Sequence, residues 1–106
     1  MFFRRQDADA VEMMVGLTRR VLATSEGLML AEFTFDLGAE VPAHSHPHDQ
    51  VGYVVSGRMR MVIGDKIAEC GPGDSYHAAP NVPHSGEALV PSVVIDVFCP
   101  PREDYV

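Results

Sequence analysis

Cysteine and lysine are scarce in this sequence, and each scarcity removes a class of function. Cys70 and Cys99 are the only cysteines. They have no C-x-x-C spacing and no secretory context, so they are expected as free thiols, used as small buried side chains and not as a disulfide. Lys66 is the single lysine and the net charge is −7. That argues against nucleic acid as a partner, because phosphate binding draws on clustered Lys and Arg. An acidic chain still binds an anion if it has a local positive centre, such as a metal or a placed Arg. No apolar run approaches the length that spans a bilayer, so no membrane association is expected. Met1-Phe2-Phe3-Arg4-Arg5-Gln6-Asp7 carries basic residues with no apolar stretch behind them; it does not read as a secretion signal, and the expected location is the cytoplasm. Helix-period stretches, internal repeats, low-complexity segments and linkers are all missing. With 106 residues, the expectation is one domain, residues 1–106, with no separate regulatory or DNA-binding module.

What is present is alternation. Between frequent Gly and Pro the pattern has period two, the mark of half-buried strands. Leu28 to Asp36 puts Met29, Ala31, Phe33 and Phe35 on one face and Glu32, Thr34 and Asp36 on the other. Further strands are expected at Gln50 to Ser56, Arg58 to Ile63, Lys66 to Cys70, Ser75 to Ala79, His84 to Leu89 and Ser92 to Cys99, with N-terminal ones near Val11 to Val15 and Thr18 to Thr24. Gly64-Asp65 suits a two-residue hairpin turn. Gly71-Pro72-Gly73-Asp74 and Asn81-Val82-Pro83 mark further turns. About eight to ten short strands at this spacing predict an all-β sandwich or barrel.

The chemistry concentrates in histidines. His44, His46 and His48 fall in one run, and His84 lies downstream. On an extended segment, residues two apart point the same way with Cα atoms about 6.7 Å apart, so His44 and His46 converge on one point. Gln50 follows at an even offset. Three imidazoles and one oxygen suit a divalent transition metal ion (Zn, Ni, Fe, Mn or Co) and leave coordination positions open for water or substrate.

Gly38, five residues, His44, one, His46, three, Gln50, six, Gly57 resembles the first signature of the cupin superfamily, with Gln where Glu is usual. The second signature is matched by Gly64, Pro72-Gly73-Asp74 and Pro83-His84. The resemblance implies a double-stranded β-helix, the jelly-roll cupin barrel, with His44, His46, Gln50 and His84 as ligands of one metal ion. A neutral amide in place of a carboxylate leaves the site one unit more positive, hence a stronger Lewis acid and a better host for an anion. It also removes a carboxylate that could serve as a base in oxidative members, so dioxygenase chemistry loses ground. His48 and His77 match no ligand position and are expected in solvent or on the pocket wall.

Nearly the whole chain looks similar to the KdgF-type pectin-degradation cupins, which linearise unsaturated uronates. The resemblance rests on the Met-Phe-Phe start, His44-Ser45-His46-Pro47-His48-Asp49-Gln50, Pro80-Asn81-Val82-Pro83-His84 and the ending Asp96-Val97-Phe98-Cys99-Pro100-Pro101-Arg102-Glu103-Asp104-Tyr105. It implies that Asp96, Phe98 and Arg102 line the active site. Asp96 is notable on its own account. It lies in an apolar strand on the face of Val94 and Phe98, where a carboxylate is costly unless it is paired, hydrated or put to use. The expected reaction is metal-dependent ring opening of a 4,5-unsaturated uronate to the 4-deoxy-5-keto uronate. Asp96 moves the proton, Arg102 clamps the sugar carboxylate unless it is a solvated tail residue, and Phe98 forms an apolar wall. Two other classes stay open: a non-catalytic sugar- or metal-sensing barrel, and a metal-dependent oxygenase or isomerase acting on another small acid. A homodimer is expected from the habit of small cupins and from Met and Val on the strand surfaces.

Overall fold

Alternating apolar and polar residues cannot hide one face without a second sheet to cover it. The computed structural model, which describes residues 1–106, resolves this with ten strands and no α-helix. They are β1 (Val11–Met14), β2 (Leu17–Thr24), β3 (Met29–Phe35), β4 (Glu40–His44), β5 (Asp49–Ser56), β6 (Met59–Ile63), β7 (Lys66–Cys70), β8 (Ser75–Ala78), β9 (His84–Ala88) and β10 (Ser92–Cys99). Two 3-10 turns, Arg5–Asp7 and Glu103–Tyr105, lie near the ends. A six-stranded sheet, ordered β1-β2-β3-β10-β5-β8, faces a four-stranded one, ordered β4-β9-β6-β7. All pairings are antiparallel. The expected all-β jelly roll is the architecture found.

The inner faces follow the alternation. Met29, Ala31, Phe33 and Phe35 of β3, Val54 of β5, Met59 and Met61 of β6, and Val94 and Phe98 of β10 form the core. Arg58 and Arg60 point outward. The β6–β7 hairpin turns at Gly64, whose φ of 60° is the left-handed conformation that such a turn needs.

Two features were not read from the sequence, and one expectation needs correction. Glu40–His44 is a strand, β4, although Pro42 sits within it; β4 pairs only with β9, and an edge strand tolerates proline. Glu32, on the outward face of β3, is buried because the N-terminal turn lays Arg5 against it at 2.9 Å. Cys70 is buried as expected, whereas Cys99, at the end of β10, is exposed.

Candidate metal centre and active site

Strand register brings the histidines together. His44 at the end of β4 lies directly across from His84 at the start of β9, and their rings are 4.3 Å apart between centroids. His46 follows in the crossing to β5, with its ring 5.0 Å from that of His84 and 5.6 Å from that of His44. One ligand atom from each of the three lies within 4.8 Å of the others. Gln50, buried near the start of β5, sets its Oε1 3.0 Å from His46 Nε2.

The residues fit a metal. His44 Nδ1 bonds to the Pro42 carbonyl at 3.0 Å and His84 Nδ1 to the Val82 carbonyl at 2.9 Å. A carbonyl accepts only a proton, so both rings carry it on Nδ1 and keep the Nε2 lone pair free, as metal-ligating imidazoles do. His84 Nε2 is buried with no hydrogen-bond partner, a costly state for a polar atom unless a ligand is to meet it. His46 and Gln50 meanwhile occupy each other with atoms of ligand type. Burial, then the charges of Arg102 and His84, push the pKa of His46 down to about 4, and burial lowers that of His84. Both rings are therefore neutral at physiological pH, the form that binds a cation. Three imidazoles and an amide oxygen are the donors this cluster could offer to a metal.

A cavity of about 290 Å³ opens beside the cluster, lined by the polar His44, His84, Gln50, Asp96 and Arg102 together with Phe98, Met13, Phe33, Met59 and Met61. Asp96 and Phe98 lie on the inner face of β10, and register places Phe98 beside Gln50 and Asp96 beside Gly52. Asp96 is 5% exposed. Burial pushes its pKa up to about 6, tempered by the Tyr76 hydroxyl and the Gln50 amide. The Tyr76 hydroxyl donates to Asp96 Oδ1 at 2.7 Å.

Arg102 is no solvated tail residue. Its side chain is 11% exposed; the guanidinium lies 5.3 Å from the centroid of the Phe98 ring and 4.4 Å from that of Tyr105, and it makes a two-point bond to Asp104. Phe98, 1% exposed, supports both Arg102 and the His46 ring, whose centroid is 6.0 Å from its own. His48 departs from the solvent or pocket-wall expectation. It is buried at 4% exposure, is absent from the cavity lining, and bonds through Nε2 to Glu103 at 3.0 Å. His77 is exposed and pairs with Asp49. Sequence reasoning missed Tyr76 and Tyr105. The ending that includes Tyr105 was in view, but Tyr76 had no local signal, since its partner lies two strands away.

Comparison with known proteins gives a consistent picture. The cupin domain family matches residues 31–98. The chain is 36% identical over 93 residues to the pectin degradation protein KdgF of Dickeya dadantii, which covers 86% of this chain and 84% of that one. The structure of KdgF from Halomonas sp. superposes with a TM-score of 0.95 at 35% identity, covering 100% of this chain and 98% of that one. An RmlC-like cupin from Shewanella frigidimarina gives a TM-score of 0.95 at 34% identity, covering 99% of this chain and 95% of that one.

Proposed function

The chain belongs to the cupin family and is a homologue of KdgF, and on that premise we propose that it opens the ring of a 4,5-unsaturated uronate released in pectin or alginate breakdown. The observation that carries this reading is one cavity lined by His44 and His84 of a converging histidine triad, a buried carboxylate and a guanidinium. It has a cation site for a developing negative charge, a group to move a proton, and a partner for the sugar carboxylate.

His44, His46, Gln50 and His84 would hold one divalent transition metal ion; when bound, it supplies Lewis-acid stabilisation to an oxygen that gains charge. Asp96, with a pKa of about 6, is mostly ionised at neutral pH yet readily reprotonated, the range that suits a general base that later acts as an acid. It takes the proton of the anomeric hydroxyl. The electron pair so freed forms the carbonyl at carbon 1 while the bond from carbon 1 to the ring oxygen breaks, leaving an enolate. Asp96 then returns the proton to carbon 4, which yields the 4-deoxy-5-keto uronate. The reaction is an isomerisation that balances without water or oxidant. Arg102, held against the Phe98 and Tyr105 rings, aligns the sugar carboxylate, and Phe98 forms an apolar wall beside it.

Proton NMR of 4,5-unsaturated galacturonate incubated with the metal-loaded protein tests the assignment. The expected product shows no vinylic resonance and a new methylene at carbon 4, where a second hydrogen has joined the first. A sugar bound but unchanged would point to a sensing barrel, and oxygen uptake to an oxygenase.

We also propose that two copies pair through the outer face of the six-stranded sheet. Supporting this, Val51, Tyr53 and Val55 of β5 are 49%, 50% and 44% exposed, and register continues their rows into Val97 and Ile95 of β10. A contiguous apolar sheet face of this kind is usually covered. Sedimentation should give a dimer for the parent and a monomer for Tyr53→Glu; a monomeric parent would contradict it.

A further inference from the structure

Three strands meet in a row beside the candidate metal centre. Asp96 of β10 pairs with Gly52 of β5, and Gly52 pairs with Tyr76 of β8. Neighbouring strands lie about 4.8 Å apart, so side chains at the two ends of such a row are ordinarily separated by the one between them. Gly52 has none. A Cβ there would collide with Tyr76 Cζ, Tyr76 Oη and Asp96 Oδ1 together. The tyrosine therefore lies across the bare backbone of β5, and its hydroxyl reaches the carboxylate at 2.7 Å.

We propose that Tyr76 is a positioning residue for Asp96: by donating to Oδ1 across Gly52 it holds the carboxylate in the orientation from which it exchanges a proton with the substrate. The proposal rests on the reading of Asp96 as the proton-moving group. Both residues line the cavity, so the orientation of the carboxylate bears directly on whatever occupies it. The phenol is a dependable donor here, because burial and the neighbouring carboxylate hold its proton in place. An unheld aspartate rotates about its terminal torsion, which is broad and roughly two-fold. Proton transfer requires heavy atoms within about 2.6–3.2 Å, and small misplacements of a reacting group cost rate steeply.

The test compares the parent, Tyr76→Phe, Gly52→Ala and Asp96→Asn, each loaded with the same metal, in ring opening of 4,5-unsaturated galacturonate. Metal content and melting temperature are recorded for every variant. Phe fills the space of Tyr without the hydroxyl, so Tyr76→Phe should keep its metal and its KM while kcat per bound metal falls roughly ten- to a hundredfold. Gly52→Ala, which keeps the hydroxyl but wedges a methyl group between the partners, should show the same split. A Tyr76→Phe variant with parental kcat per bound metal overturns the proposal, as does one whose loss is fully accounted for by missing metal or by raised KM. Asp96→Asn separates the two levels: if it turns over normally, the reading of Asp96 itself fails; if it is inactive while Tyr76→Phe is unimpaired, only the positioning role fails.

Discussion

Asp96 is where function and stability pull in opposite directions. Its folded-state pKa of about 6 lies above the ordinary 3.8, so between those values the unfolded chain is already ionised while the folded one still holds its proton. Stability therefore declines as pH rises from about 4 to 6 and stays reduced above it, by on the order of 1–3 kcal/mol in the metal-free protein. Asp96→Asn removes this cost and keeps an oxygen to accept from Tyr76. The metal-free variant is expected to melt at a higher temperature than the parent at pH 8, with the gain vanishing near pH 4. Scanning calorimetry of chelated protein at both pH values checks it; an equal or lower melting temperature at pH 8 would show that the buried carboxylate is not under strain.

At the scale of elements, the site joins the two sheets, β4 and β9 bringing His44 and His84 and β5 and β10 bringing Gln50 and Asp96, with the turn after β10 as a rim. That turn is held by the bond from buried His48 to Glu103, next to Arg102. Glu103→Ala should free the segment, so that Arg102 must be ordered anew when the sugar carboxylate binds. KM should rise roughly two- to tenfold with a smaller change in kcat; steady-state kinetics with unchanged constants would contradict a clasp. Much of this arrangement was legible in the sequence. Spacing put His44 and His46 on one side, and the period of two put Asp96 and Phe98 on the inner face of a strand. Register between strands was not legible, because it is set by pairing over long separations. This is why Tyr76 went unseen opposite Gly52, and why His48, read as a surface or wall residue, proved to be buried under the C-terminal turn. The burial of Glu32 was not legible for a similar reason, since only the folded N-terminal turn brings Arg5 to it.

For the whole molecule, a net charge of −7 disfavours an anionic ligand overall, so on the proposed reading metal loading should raise both its binding and the stability of the fold. A ligand that binds only the folded state at about a hundred times its Kd adds about 2.7 kcal/mol, roughly 10–20 °C in melting temperature for a chain of this size. Adding Zn or Ni to chelated parent protein should give a shift of that order, and His84→Ala should abolish most of it; a full shift and full metal content in His84→Ala would remove that residue from the ligand set. The most direct test of the central claim follows the conjugated double bond of a 4,5-unsaturated galacturonate by its ultraviolet absorbance, with metal-loaded protein, chelated protein and Asp96→Asn side by side. The account predicts rapid loss of absorbance with the loaded parent, and a rate at least about a hundredfold lower in both controls. No acceleration by a protein that holds its metal, or parental turnover by Asp96→Asn, would contradict it.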